Sequence, residues 1–271
     1  MERYLAAAVQ MASGPDRAAN LARAAALVRA AAARGARLVV LPEVFAWRGP
    51  REAEAAAAEP VPGPSTEAMA AVARETGVYL CMGSLLEASG ETARPYNTSC
   101  LLDPRGTLIA RYRKIHLFDV DLPGRVAVRE SETRAPGGEV VAVPTPLGTL
   151  GLSICYDLRF PELYRRLARA GAEVLLVPSA FTFPTGAAHW EVLCRARAIE
   201  NQCYVIAADQ TGRSPAGHLD WGDSLVADPW GRVLARAPDG EGLALAEIDR
   251  GYLTRVRREL PCLAHIRLDG G

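Results

Sequence analysis

Residues 148–157 read Gly-Thr-Leu-Gly-Leu-Ser-Ile-Cys-Tyr-Asp, and the rest of the chain is interpreted around them. Apolar residues alternate with small ones up to Cys155, a pattern that predicts a short strand ending at this cysteine. The next residues predict a turn, and Pro161 suits the first turn of a helix. Open α/β sheets place their active sites at such strand ends, and a helix N-terminus would favour the thiolate of Cys155. The alternative is that Cys155 is a small buried hydrophobic residue.

The composition indicates one large α/β domain that spans the whole chain of 271 residues, of which 49% are apolar. Lys and Arg total 31, and so do Asp and Glu, so the sequence predicts neither a nucleic-acid partner nor a membrane-binding surface. No apolar stretch approaches the length of about 18 residues that a membrane helix needs. Residues 1–4 lack a signal-peptide pattern, so a cytoplasmic location is expected.

The cysteines and histidines do not have the spacing of metal ligands. No two of the six cysteines are spaced as Cys-x-x-Cys, and the four histidines do not fall at zinc-finger intervals. A reducing compartment is expected, so the even number of cysteines does not predict disulfides. We therefore predict no metal and no organic cofactor.

Predicted strands and helices alternate along the chain. Residues 5–43 predict a strand, an Ala-rich helix and a buried strand that ends at Pro42-Glu43. Residues 103–106 and 228–231 both read Asp-Pro-x-Gly, and each lies between two predicted strands. These parallels indicate two pseudo-symmetric halves. Periodicity alone leaves open whether the strands form two sheets face to face, flanked by helices, or a single doubly wound sheet.

Three further segments carry local predictions. Residues 78–86 predict one strand, and residues 65–76 predict a helix capped by Ser65 or Thr66. Residues 118–136 predict a long loop, and loops of this length inside a compact domain are usually functional or disordered.

Glu43, Lys114 and Cys155 each follow a predicted strand or hairpin. Taken singly, they could be a solvated carboxylate, part of a charged strand edge and a core thiol. Together with their neighbours they are more specific. Leu41-Pro42-Glu43, residues 112–117 (YRKIHL) and residues 154–162 (ICYDLRFPE) resemble, in chain order, the three signature motifs of the nitrilase superfamily of carbon–nitrogen hydrolases. The resemblance covers essentially the whole chain and matches the family's Glu, Lys and Cys to these three residues.

The resemblance implies a fold and a fourth site residue. The family fold is a four-layer α-β-β-α sandwich, which favours the two-sheet arrangement, in a single domain over residues 1–271. Family members carry a second active-site glutamate in the segment after the lysine. Residues 129–133 (RESET) match that context and make Glu130 its counterpart, whereas the offset of Glu132 is wrong by two residues.

The resemblance also implies amide hydrolysis through a cysteine thioester. Cys155 would be the nucleophile, and Glu43 would take its proton and later protonate the leaving nitrogen. Lys114 and the backbone N–H of Tyr156 would stabilise the oxyanion. Glu130 would hold Lys114 in place and keep it charged, since a base between two carboxylates stays protonated.

Residues 178–186, 189–191 and 195–204 look most like the branch of deaminated glutathione amidases, and ω-amidases share much of this pattern. Both act on 2-oxo acid amides, so a cation for the substrate carboxylate is expected. Arg159 is the candidate, and its alternative role is a structural salt bridge with Glu162 or Asp157. Phe181 and Thr182 are predicted to line the same pocket, unless they serve ordinary packing.

Other interpretations stay open at this point. The substrate could be deaminated glutathione, α-ketoglutaramate or another small amide or nitrile. His189 could pair with Cys155 as in thiol proteases, although the Glu and Lys motifs argue against it. A catalytically silent scaffold is a non-enzyme alternative. The resemblance implies a homodimer, with the helix from Pro161 and residues 260–268 as candidate interface elements.

Overall fold

The computed structural model describes residues 1–88, 90–124 and 126–268. The strands are β1 (Arg3–Gln10), β2 (Ala36–Val40), β3 (Tyr79–Cys81), β4 (Leu85–Glu87), β5 (Tyr96–Leu102), β6 (Leu108–Arg113), β7 (Asp119–Leu122), β8 (Val126–Arg129), β9 (Ala142–Thr145), β10 (Gly148–Leu152), β11 (Val174–Ser179), β12 (Tyr204–Asp209), β13 (Thr211–Arg213), β14 (Leu219–Trp221), β15 (Leu225–Ala227), β16 (Val233–Arg236) and β17 (Gly242–Asp249). The helices are α1 (Arg17–Ala33), α2 (Glu54–Ala57), α3 (Pro64–Thr76), α4 (Glu130–Thr133), α5 (Pro161–Arg169), α6 (Phe183–Asn201) and α7 (Arg250–Glu259), and 3-10 turns lie at Arg51–Ala53, Cys155–Arg159 and Cys262–His265.

Two mixed sheets pack face to face between layers of helices. The first has the strand order β17-β1-β2-β3-β5-β4, with β6 also paired to β5, and the second has the order β16-β15-β12-β11-β10-β9. Alternate residues of β1 serve two cores: Ala6 and Ala8 face the second sheet, whereas Ala7 and Val9 pack beneath α1 and α3. The predicted α-β-β-α sandwich is confirmed, and the single doubly wound sheet is excluded.

The two halves follow the same path. Strands β1-β2-β3-β5-β6 in the first sheet correspond in order and direction to β10-β11-β12-β15-β16 in the second. The two Asp-Pro-x-Gly turns are also alike. The Asp103 carboxylate accepts the backbone N–H of Arg105 and Thr107, and Asp228 accepts those two and four residues further on in the same way. The pseudo-symmetric halves predicted from the sequence are therefore present.

Three local predictions need correction. Residues 118–136 are not a long loop, because they contain the hairpin β7–β8 and the short helix α4. Residues 78–86 form two strands, since Gly83 (φ 60°) takes a left-handed conformation where a Cβ would meet the carbonyl of Pro42. Helix α3 starts at Pro64 after Gly63, so Ser65 and Thr66 lie inside it, and Thr66 Oγ1 instead hydrogen-bonds back to the Gly63 backbone.

Within the part of the chain that the structure describes, no helix combines the length and apolar content that crossing a membrane requires.

Candidate active site

Four residues at the ends of secondary-structure elements line one cavity of about 460 Å³. Glu43 follows β2, Lys114 follows β6, Glu130 opens α4 and Cys155 follows β10. All four side chains are buried and all four line the cavity. The two pseudo-symmetric halves both contribute, because Glu43 and Cys155 follow parallel strands of different sheets.

Lys114 lies between the two glutamates. Its Nζ is 2.8 Å from Glu43 Oε1 and 2.8 Å from Glu130 Oε2. Burial alone would lower the pKa of Lys114, but the charges of Glu130 and Glu43 outweigh it and hold the pKa above its ordinary value. Lys114 is therefore a fixed cation in the lining of the cavity.

Cys155 sits on a strained backbone. Its φ of 48° is left-handed, as is that of Val44 (φ 47°) next to Glu43, and this conformation is uncommon for non-glycine residues. Burial first, and then the charge of Glu43, raise the pKa of the Cys155 thiol well above its usual range, whereas Lys114 and the N–H of Ala180 lower it. The sequence predicts that a nearby helix N-terminus favours the thiolate, whereas burial of the sulfur has the opposite effect. Helix α5 begins only at Pro161, and desolvation dominates at the sulfur.

Glu43 is held by both its backbone and its side chain. Its N–H donates to the carbonyl of Ser179, and Gln210 Nε2 donates to its carbonyl at 2.9 Å. Asn97 Nδ2 donates to Glu43 Oε1 at 2.7 Å and lies 3.3 Å from Glu130 Oε1. Asn97 joins the two carboxylates, and the sequence analysis missed it. Its signal is a polar Tyr-Asn-Thr-Ser run inside a strand next to the lysine hairpin.

Glu130 belongs to a second ionic network that the sequence analysis also missed. Arg134 donates from Nη1 to Glu130 Oε1 at 2.7 Å and from Nη2 to Glu54 Oε1 at 2.7 Å. The N–H of Phe118 donates to Glu130 Oε2 at 2.7 Å. Burial opposes ionisation of Glu130, but Lys114 and Arg134 lower its pKa below the ordinary value. Glu132, the rival residue, is exposed.

Only one of the four residues predicted to bind substrate lines the cavity. Thr182 lines the cavity, whereas Tyr156, Arg159 and Phe181 are not part of its wall. The Arg159 guanidinium is half-buried, 5.3 Å from the centroid of the Phe181 ring and 5.8 Å from that of Tyr156. Of its two predicted salt-bridge partners, Glu162 and Asp157, the latter instead accepts hydrogen bonds from Tyr112 and His116.

His189 is exposed on α6, and its Nδ1 lies 3.2 Å from Arg159 Nη1. The side chains with the largest effect on the pKa of Cys155 are Glu43 and Lys114. This environment favours activation of the thiol by glutamate over a Cys–His pair.

Elements from both halves form the outer cavity wall. It comprises Trp47, Arg48 and Arg51 from the segment after β2, Val126 and Val128 from β8, and the tip of the hairpin β13–β14 at residues 214–218. Arg48 is paired with the buried carboxylate of Asp220 on β14. Across the described residues, no group of three or more His, Cys, Asp or Glu side chains is arranged to hold a metal ion.

Comparison with known proteins identifies relatives of this chain. The profile of the carbon-nitrogen hydrolase family matches residues 5–258. The chain is 47% identical to deaminated glutathione amidase of Homo sapiens over 99% of its length and 84% of that protein. It is 40% identical to omega-amidase NIT2 of Xenopus tropicalis, over 99% of this chain and 97% of that protein. Among solved structures, the C. elegans NitFhit protein matches with a TM-score of 0.91 and 40% identity, over 98% of this chain and 66% of that chain.

Proposed function

Because the chain belongs to the carbon–nitrogen hydrolase family and is a hydrolase acting on non-peptide C–N bonds, we propose that its substrate is deaminated glutathione. This compound is the amide of a 2-oxo dicarboxylic acid with the dipeptide Cys-Gly. Its hydrolysis releases the 2-oxo acid and the dipeptide. The observation that carries the proposal is the contact of Lys114 with Glu43 beside Cys155, in a cavity large enough for a small peptide-like amide.

In the proposed first half-reaction, Glu43 takes the thiol proton as Cys155 Sγ attacks the amide carbon. The oxyanion accepts hydrogen bonds from Lys114 Nζ and the backbone N–H of Tyr156. Glu43 then returns the proton to the leaving nitrogen, the C–N bond breaks and a thioester remains on Cys155. The raised pKa of Cys155 supports this order, since a thiol that is neutral at rest needs a base at the moment of attack.

In the second half-reaction, Glu43 removes a proton from water, which attacks the thioester carbon. The C–S bond breaks, the 2-oxo acid leaves, and Cys155 recovers its proton from Glu43. Glu130 does not exchange protons in this scheme. It keeps Lys114 charged and in position, and the hydrogen bonds that it accepts from Lys114, Arg134, Asn97 and the Phe118 N–H support that role.

We assign the carboxylate of the 2-oxo acid to Arg159, which lies outside the described cavity wall but packs over Phe181, the residue before the cavity-lining Thr182. Burial lowers the pKa of Arg159, and an electrostatic interaction with Cys155 acts in the opposite direction. Its guanidinium contacts two aromatic rings and a histidine, and no carboxylate within the described residues neutralises its charge. A guanidinium in this position suits bidentate binding of a carboxylate.

A second candidate activity is that of an ω-amidase on α-ketoglutaramate, and the 40% identity to such an enzyme favours it. The deciding experiment measures Cys-Gly release from deaminated glutathione and ammonia release from α-ketoglutaramate and from a simple nitrile. The proposal requires the highest kcat/KM on deaminated glutathione. A higher kcat/KM on α-ketoglutaramate would support the ω-amidase, and loss of all release in Cys155→Ala would attribute the activity to this site.

We further propose a cytoplasmic homodimer. Val192 and Ile199 on α6, together with Trp230, expose large apolar side chains, and Leu260 and Leu268 do so in the C-terminal segment. Sedimentation that shows only monomer at micromolar concentration would overturn the homodimer.

A further inference from the structure

The cavity wall carries four cations, and three of them are paired with carboxylates. Lys114 contacts Glu43 and Glu130, Arg134 contacts Glu130 and Glu54, and Arg48 contacts Asp220. These pairs are buried or nearly so, which leaves the three cations little free charge to offer a ligand. The fourth cation is Arg51.

Arg51 is half-buried and begins the 3-10 turn Arg51–Ala53, in the segment after β2. Its Nη1 donates to the carbonyl of Arg129, at the end of β8, at 3.1 Å. A carbonyl orients the guanidinium without neutralising it. Across residues 1–88, 90–124 and 126–268, no carboxylate lies within salt-bridge distance of Arg51. This side chain is therefore an oriented cation in the cavity wall with its charge uncompensated.

Two arginines thus have no carboxylate partner among the described residues: Arg51 lines the cavity, and Arg159 lies outside its wall. Arg159 belongs to the turn that starts at Cys155 and packs on Phe181, whereas Arg51 packs on the end of β8. Deaminated glutathione carries a carboxylate at each end, one on the 2-oxo acid and one on the glycine of the leaving dipeptide. α-Ketoglutaramate carries only the first, because its leaving group is ammonia.

We infer that Arg51 binds the glycine carboxylate of the leaving dipeptide and so determines preference for a peptide-like leaving group. This inference rests on the proposed function and deepens it. Charge-assisted binding of a carboxylate by an oriented guanidinium is worth about a ten- to hundredfold change in binding. The effect is confined to substrates that have this carboxylate.

The experiment uses three substrates: deaminated glutathione, its C-terminal carboxamide and α-ketoglutaramate. It compares the wild type with Arg51→Met, Arg51→Lys and the control Arg29→Met, which removes an exposed arginine paired with Glu75 between α1 and α3. The kcat/KM values are measured for each combination. The carboxamide keeps the shape of the dipeptide and removes only its charge.

We expect the wild type to prefer the acid over the carboxamide by roughly ten- to hundredfold, and Arg51→Met to abolish that preference through KM. Arg51→Lys should restore part of it, and Arg29→Met should keep it in full. An acid-to-carboxamide ratio that is near unity in the wild type, or unchanged in Arg51→Met, would overturn the inference. An equal loss of kcat/KM on all three substrates would also overturn it. That result would mean that Arg51 only stabilises the fold through its hydrogen bond to β8. A wild type that hydrolyses none of the three would instead refute the proposed substrate class.

Discussion

Lys114 Nζ lies 2.8 Å from Glu43 Oε1, so the proposed oxyanion donor and the proposed base are in direct contact before any substrate binds. The contact keeps Lys114 cationic and orients Glu43 toward the sulfur of Cys155, which experiences the charges of both. A preorganised cation costs little reorganisation when the oxyanion forms. The contact also makes the two residues interdependent, and this has measurable consequences.

Replacement of Cys155 tests the nucleophile. Cys155→Ala removes the only atom that can form the proposed thioester, so we expect no detectable turnover on any amide substrate. The substitution removes one buried sulfur atom and leaves the contacts of Glu43 with Lys114 and Asn97 in place, so the protein should stay folded. Turnover is measured by product release and folding by circular dichroism with thermal melting. Near wild-type hydrolysis by a folded Cys155→Ala variant would refute the assignment.

Glu43 and Lys114 should be about equally sensitive to substitution. Glu43→Gln keeps the volume but removes the base, and Lys114→Met removes the oxyanion donor, so each should lower kcat by roughly a hundredfold or more. The double variant should lose much less than the product of the two single losses, because groups that act as a unit are not additive. Exposed Glu132→Gln is the matched control and should keep wild-type kcat. Additive losses in the double variant would mean that the 2.8 Å contact has no catalytic role.

The resting state of the thiol can be measured by alkylation. Since burial and Glu43 raise the pKa of Cys155, its thiolate fraction is small at neutral pH and grows as the pH rises through that raised value. Its alkylation rate should therefore still be rising above about pH 9, the range in which ordinary thiols level off. Peptide mapping after iodoacetamide separates it from the exposed Cys262.

Glu43→Gln removes a charge that raises the pKa of Cys155. Alkylation of Cys155 at about pH 9 should therefore be faster in this variant than in the wild type, although the variant is catalytically poor. A wild-type rate that already levels off near neutral pH would show a preformed thiolate. Slower alkylation in Glu43→Gln at every pH would show that Glu43 does not oppose ionisation of the sulfur.

The sequence predicted residues near strand ends better than it predicted the contacts between them. Glu43 and Cys155 each follow an apolar run that ends abruptly. Parallel strands present their carboxyl ends at one edge of a sheet, so the local sequence is enough to predict the position of each residue in its own sheet. A signal for the hairpin β7–β8 is present in the sequence, because Asp119–Leu122 and Val126–Arg129 alternate in polarity on either side of Pro123-Gly124. Arg134 and Glu54 are eighty residues apart, and no local pattern joins them. Their contact exists only because the segment after β2 packs beside α4.

Arg134 is the final residue to test, because it supports Glu130 from the side opposite Lys114. Arg134 and Lys114 together hold the pKa of Glu130 below its ordinary value, so Glu130 stays ionised as the pH falls. Arg134→Met should raise that pKa, and Glu130 should then become protonated at a higher pH than in the wild type. Lys114 would lose an anionic partner as the pH falls through the raised value, so the acidic limb of kcat should move to higher pH.

The same substitution leaves Glu54 without its guanidinium partner in a buried site, which should destabilise the fold by about 3–5 kcal/mol, the scale for breaking a buried pair. Arg134→Lys separates the two effects, because it restores a charge near Glu130 without the bidentate contact to Glu54. We expect it to recover most of the pH profile and little of the lost stability. A profile that is unchanged in folded Arg134→Met would show that Arg134 stabilises this corner of the fold without acting on Glu130 during turnover.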